Sequence, residues 1–126
     1  MILQFNRRTI QPGTVAIEMK GSIHSGPECA RLTKEVDDLI AARETLIIFD
    51  MSGVTHADSS AIGAIVKCLT KLKRANGALR IAAAHPMIHH SLKLTKVDQL
   101  VELFPTVDQA AANFSAPPPA PPSATN

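Results

Sequence analysis

Leu46-Ile47-Ile48-Phe49 places four apolar residues in unbroken succession. In a sheet, neighbouring side chains point to opposite faces, so this run leaves neither face for water. A strand of that kind belongs inside a parallel or mixed sheet with helices packed on it. Asp58 to about Ala75 supplies such a helix. At about 100° per residue, Ile62, Ile65, Val66, Leu69 and Leu72 fall in one stripe, and Asn76-Gly77 suits a left-handed stop.

The remaining segments extend the pattern. Leu3 and Phe5, then Val15, Ile17 and Met19, alternate with polar or small residues on either side of Gln11-Pro12-Gly13-Thr14. The spacing predicts a hairpin of two half-buried strands, the second closed by Gly21. Ser25-Gly26-Pro27-Glu28 has the form of a capping box, and Leu32, Val36, Leu39 and Ile40 recur at helical spacing until about Ala42. Leu79 to Ala83 reads as a strand, and His85-Pro86 opens a third helix whose inner side is Ile88, Leu92 and Thr95. Leu100 to Leu103 reads as a short last strand, and Val107 to Phe114 as a final helix. The order β-β-α-β-α-β-α-β-α implies an α/β domain: a mixed, mostly parallel sheet with one antiparallel strand at the start and about four helices.

A chain of 126 residues holds one such domain, expected over residues 1–115. Aromatic residues make up only 3%, with no Trp or Tyr, so the core is aliphatic and base-stacking surfaces lack their rings. A net charge of +2, from 13 basic and 11 acidic residues, demands neither nucleic acid nor a membrane as partner. No run is apolar and long enough to cross a bilayer, and no secretory leader opens the chain, so the expected compartment is the cytoplasm. Cys29 and Cys68, isolated on predicted helices, read as apolar fillers rather than a disulfide. Residues 116–126, rich in Ala, Pro, Ser and Thr, have no periodicity and read as a disordered tail.

In parallel sheets, functional groups gather where strands end and helices begin. The stretch "THADSSAIGA", Thr55 to Ala64, lies at such a junction. Asp58 and Ser59 are both good N-cap residues, and capping alone accounts for either. A serine nucleophile needs a base and an oxyanion site. The chain lacks the G-x-S-x-G elbow, and His24, His56, His85, His89 and His90 form no triad signature. Metal binding finds no CxxC pair, and the adjacent His89 and His90 would point about 100° apart on a helix. No Walker-type phosphate loop is present. Phosphorylation is physically favourable, because a helix N-terminus tolerates a phosphate while the added charge alters the surface. Ser60, Gly63, Ala64, Lys67, Lys71 and Arg74 fall on the face of the helix opposite the apolar stripe, small at its start and basic at its end.

The stretch "LIIFDMSGVTHADSSAIGAIV", Leu46 to Val66, resembles the signature of STAS domains, and in particular of bacterial anti-sigma factor antagonists. Their pattern is an apolar strand, an Asp, a short loop, and Asp-Ser-Ser-Gly-Leu-Gly opening a helix. "VAIEMKGSI" and the segment from Gly77 to Ala112 are similar to the family's second strand and to its closing elements. The resemblance implies a STAS-like fold and a non-enzymatic protein without cofactor or metal. Such a protein binds an anti-sigma factor, often a GHKL-type serine kinase, and so releases a sigma factor. Ser59, directly after the motif aspartate, is then the phosphorylated residue, and a serine phosphatase reverses the modification. Asp58, Ser60, Ala61, Gly63, Ala64 and Lys67 flank it on the implied docking face, with His24 beside the serine where antagonists carry an aspartate. Ala61 replaces a glycine of the pattern, which predicts a firmer helix start. Lys96 stands near the place of another. Other STAS proteins are unphosphorylated subunits of stress-signalling scaffolds or lipid-transport complexes, which is the rival implication.

Overall fold

The computed structural model describes residues 3–23 and 27–115. The elements follow the expected order: β1 (Gln4–Gln11), β2 (Thr14–Ile23), α1 (Pro27–Ala41), β3 (Leu46–Ala57), α2 (Ser59–Arg74), β4 (Ala78–Ala82), α3 (Pro86–Leu94), β5 (Glu102–Phe104) and α4 (Val107–Ala111). One 3₁₀ turn, Val97–Gln99, precedes β5. The five strands lie side by side in chain order, β1 antiparallel to β2 and every other pair parallel.

The hairpin turns on Pro12-Gly13. Gly13 sits at φ +83°, which only glycine adopts without strain. Gly21 does not end β2. It takes φ +114° at a register shift inside the strand, which runs on to Ile23. The chain end of α2 follows expectation: Asn76 is left-handed at φ 59°, and the Gly77 amide returns to the Leu72 carbonyl at 2.7 Å. A side chain at Gly77 would collide with the Thr45 carbonyl, 2.2 Å from the Cβ position.

The largest departure is the length of β3. The short loop expected after Asp50 is strand as far as Ala57. Two register shifts against β2, each with one extra residue on β3, break the alternation that would have marked it. At the first, Asp50 bends back and its Oδ1 accepts from the Ser52 amide at 3.0 Å. Near the second, Thr55 Oγ1 donates to the Gly21 carbonyl at 3.3 Å. Gly53 permits the close approach, because a Cβ there would lie 2.7 Å from the Met19 carbonyl oxygen. β4 pairs with β3 only over Leu46 to Asp50, so Met51–Ala57 is an arm held on one side by β2.

The aliphatic core lies on the face covered by α1, α2 and α3, and includes Ile17, Leu32, Phe49, Ile65, Leu72, Ile81 and Leu92. A smaller cluster on the opposite face joins Ala16, Ile48, Ala82, Ala110 and Phe114. Arg80 fastens it: the guanidinium donates to the Ala110 and Ala112 carbonyls at 2.8 and 3.0 Å. It also lies 5.1 Å from the Phe104 ring and 4.3 Å from the Phe114 ring. Phe114 is therefore buried as an anchor beyond α4, not as part of the helix. The last strand comes two residues later than expected, since Val97 and Val101 turn inward from the 3₁₀ segment and leave Leu100 exposed. Ser25 of the expected capping box, His24 and the 116–126 tail lie outside the described residues.

Candidate functional site

β3 delivers the Asp-Ser-Ser turn to the start of α2. The Asp58 amide donates to the Ile23 carbonyl at 3.2 Å, which ties the turn to the end of β2. Asp58 itself is extended, at φ −89° and ψ −175°, and its Oδ1 accepts from the Ala61 amide at 3.0 Å. Of the two cap candidates, then, Asp58 is the cap. Ser59 occupies the first helical position, is exposed, and takes no part in the cap. α2 carries no acidic residue in its first turn and Lys71, Lys73 and Arg74 in its last, so its basic end complements the helix dipole.

The two serines face different hollows. Ser60 joins Gly63, Ala64 and Lys67 along a groove of about 510 Å³ whose other wall is Cys29, Ala30 and Thr33 of α1. Ser59 lines a smaller hollow of about 180 Å³ closed by Ser91, Leu94 and Thr95 of α3. A neighbouring hollow of about 280 Å³ shares Ala57, Asp58 and Ser91 and is capped by Met87. The turn is a ridge with α1 on one side and α3 on the other.

This arrangement corrects the docking face that the resemblance and the helix wheel implied. Ala61 is fully buried and belongs to the core, so its methyl fills space that the family's glycine would leave empty. Ala64 is 6% exposed and forms only the floor of the groove. Ala64 is covered because α1 packs along the side of α2 that the wheel left open, whereas Ala61, placed on the docking face by the resemblance, points into the core. Gly63, Ser60 and Lys67 are exposed as expected. Lys71 leans back to Asp37 of α1, Nζ to Oδ1 2.9 Å, which withdraws it from the basic stripe. Thr95, assigned to the inner side of α3, is instead its exposed C-cap, and its hydroxyl donates to the Ser91 carbonyl at 2.8 Å.

Burial, then Asp58 and Glu28, push the Cys29 thiol up, against a smaller opposing effect of Lys67. Burial pushes Cys68 up to about 12. Both thiols are protonated at neutral pH and are poor nucleophiles. His85 Nε2 and the Ser52 carbonyl are 2.9 Å apart, so this histidine joins α3 to the β3 arm. His56 Nδ1 lies 3.2 Å from Thr55 Oγ1.

The sequence profile of the STAS domain matches residues 7–110, which take in β2 to β5, most of β1 and the whole ridge. The chain belongs to the STAS-domain family. Among solved structures, a putative anti-sigma factor antagonist from Thermotoga maritima superposes with a TM-score of 0.77 at 21% identity, covering 84% of this chain and 90% of that one. Phosphorylated SpoIIAA, a Bacillus cell fate determinant, gives a TM-score of 0.67 at 17% identity, covering 85% and 96%. A sulfate transporter family protein from Wolinella succinogenes gives 0.72 at 19% identity, covering 83% and 87%. At these identities the likeness is one of fold, and STAS domains of both antagonist and transporter proteins share it. No curated protein matches the chain significantly by sequence. Among the described residues, no helix is long and apolar enough to cross a membrane.

Sequence reasoning missed the α3 wall of this STAS site. Met87 is 83% exposed and Leu94 70%. Their signal was present: two large apolar residues seven apart that the inner stripe of Ile88 and Leu92 does not use.

Proposed function

We propose that this STAS domain is an anti-sigma factor antagonist switched by phosphorylation of Ser59. The observation that carries the reading is the division of labour at the turn. Asp58 caps α2, so the Ser59 hydroxyl is exposed on a ridge and free of structural duty. Unphosphorylated, the ridge and its flanking grooves bind the anti-sigma factor, which then lets its sigma factor go. The anti-sigma factor is itself a serine kinase in this reading. It passes the terminal phosphoryl group of ATP to Ser59 Oγ, ADP leaves, and the hydroxyl proton goes to a base on the kinase. The nucleotide and the catalysis thus belong to the partner, and this chain is a binding protein acting in the cytoplasm.

A phosphate on Ser59 adds about −1.5 to −2 of charge at the positive end of α2, where backbone amides favour it. The fold therefore keeps its cap and its core while a closely apposed partner meets bulk and charge. SpoIIAA, an anti-sigma factor antagonist solved in unphosphorylated and phosphorylated forms, supports the reading by analogy of fold. A serine phosphatase restores the binding form.

The test pairs Ser59→Ala with Ser59→Asp against the cognate kinase. Alanine is expected to bind the kinase like wild type and to accept no phosphate. Aspartate is expected to fold and to bind at least about tenfold more weakly, a loss near 1.4 kcal/mol. Phosphate found on Ser60, or on neither serine, would overturn the assignment. Co-purification with transporter or scaffold subunits, and with no kinase, would favour an unphosphorylated STAS subunit instead.

A further inference from the structure

The three large hydrophobic side chains most exposed in the described residues are Met87, Leu94 and Leu100, and two of them stand on α3 beside Ser59. Met87, Ser91 and Leu94 recur at helical spacing on one face. Ser91, Ala57 and Asp58 line both hollows there, so the two form one trough running from His56 past Ser59 to Thr95. The opposite face of α3 holds Ile88 and Leu92 in the core, hence the Met87–Leu94 face is not needed for folding. Large apolar side chains kept in water beside a functional ridge mark a contact surface.

The charges say what kind of surface fits. α2 and α3 contain Lys67, Lys71, Lys73, Arg74 and Lys93 and not one Asp or Glu, and the carboxylate lining the trough, Asp58, accepts from the Ala61 amide. Asp37 occupies Lys71, and Lys67 rises from the groove on the far side of the ridge. Resting on the function proposed above, we infer that the α3 trough is the partner's principal foothold. It receives apolar side chains of the anti-sigma factor, flanked by carboxylates that face Lys67 and Lys93. Ser59 is then modified within a contact whose affinity comes from α3, and α2 contributes the switch. Methionine suits such a surface, because its unbranched thioether adapts to the shape placed against it.

The experiment measures binding of the purified cognate kinase to wild type, to Met87→Glu/Leu94→Glu, and to Ser59→Asp, with thermal melts confirming that each chain folds. The double variant is expected to bind at least about tenfold more weakly, as the loss of interface anchors does. Its phosphorylation should slow at low kinase concentration. Affinity equal to wild type in the double variant, with Ser59→Asp still weakened, would overturn the α3 foothold and leave the switch standing. Failure of wild type to bind the kinase would overturn both. The chain has no Trp, so Met87→Trp supplies a unique reporter whose emission should shift to the blue on complex formation. Unshifted emission in a saturated complex would count against the trough. So would anionic vesicle binding, or self-association, that the double variant loses while kinase affinity stays unchanged.

Discussion

The first five residues of β3 have a strand on either side; the last seven have β2 alone. Over Leu46–Asp50 the chain makes regular ladders with β2 and β4, and Ile47, Ile48 and Phe49 are fully buried. Over Met51–Ala57 the ladder shifts twice and Ser52, Thr55 and His56 face water. Side-chain to backbone bonds at Asp50 and Thr55 replace part of what a second neighbour would supply. One strand therefore does two jobs. Its paired half fixes the sheet, and its bulged half advances five ladder steps along β2, carrying the Asp-Ser-Ser turn about 17 Å beyond the last residue of β4 at about 3.3 Å per step. There α2 begins with open flanks. Local irregularity is confined to the part that presents the site, where stability can be lower without unfolding the domain.

If the halves are unequal in this way, substitutions in them must differ in size and in reach. Phe49→Ala in the paired half is expected to cost about 3–5 kcal/mol in urea unfolding, a large share of what a domain of this size has. Gly53→Ala in the arm places a methyl 2.7 Å from the Met19 carbonyl and Lys20 Cγ, and is expected to cost about 1–3 kcal/mol. Hydrogen exchange should separate them further. Gly53→Ala should speed exchange over Lys20–Ile23 and the arm, and Phe49→Ala over the whole sheet. Equal cost and equal spread would dissolve the distinction between the halves.

The same contrast explains what was legible in the sequence. The order of elements, the parallel sheet and the α2 stop were readable because Leu46–Phe49, Ile62–Leu72 and Asn76-Gly77 are strong local signals that tertiary packing reinforces. The arm was not, because each bulge inserts a residue and destroys period two just where Ser52, Gly53 and His56 already look like loop. The site was half legible. Asp58 and Ser59 are chemically equivalent as caps on paper, and only backbone geometry decides that Asp58 takes the Ala61 amide. The docking face was misread at Ala64 because one helix's period cannot report a second helix lying beside it, and at Ala61 because the resemblance places that position on the face while the fold turns it into the core. Lys96 illustrates a further limit. It holds the left-handed φ of 63° that a glycine would take there, and no feature of its own type announces that strain.

The two thiols probe the interior and the presenting end with pH. Cys68, fully buried on α2, keeps its proton to about pH 12, whereas an unfolded thiol loses it near 9.0. The unfolded chain thus binds fewer protons between these values, and stability must fall as pH rises through that window. At pH 10.5 the loss relative to pH 8 should be about 2 kcal/mol from this group alone. It should be absent in Cys68→Ala, measured as the difference between unfolding free energies at the two pH values. Cys29, half-buried beside the ridge, is raised in the same direction and should contribute less. An equal alkaline loss in Cys68→Ala would mean that the α2 interior admits water as the presenting end does.

The smallest effects belong to the turn, and they sharpen the comparison at single-residue scale. Asp58→Ala removes the acceptor for the Ala61 amide and is expected to cost about 0.5–2 kcal/mol. Ser59→Ala removes an exposed hydroxyl that caps nothing, and its cost should stay within about 0.5 kcal/mol. Ser59→Asp places a carboxylate in the first turn of α2 and is expected to be neutral or stabilising by about 0.3–1 kcal/mol at low salt. Aspartate at position 59 at or above wild type, alanine within about 0.5 kcal/mol of wild type, and Asp58→Ala below all three follow from the cap geometry and require no partner. A loss at Ser59→Ala as large as that at Asp58→Ala would show that Ser59 shares the capping work. Its hydroxyl would then be a structural group as well as an exposed one, and phosphorylation there would carry a cost in stability that the geometry does not predict.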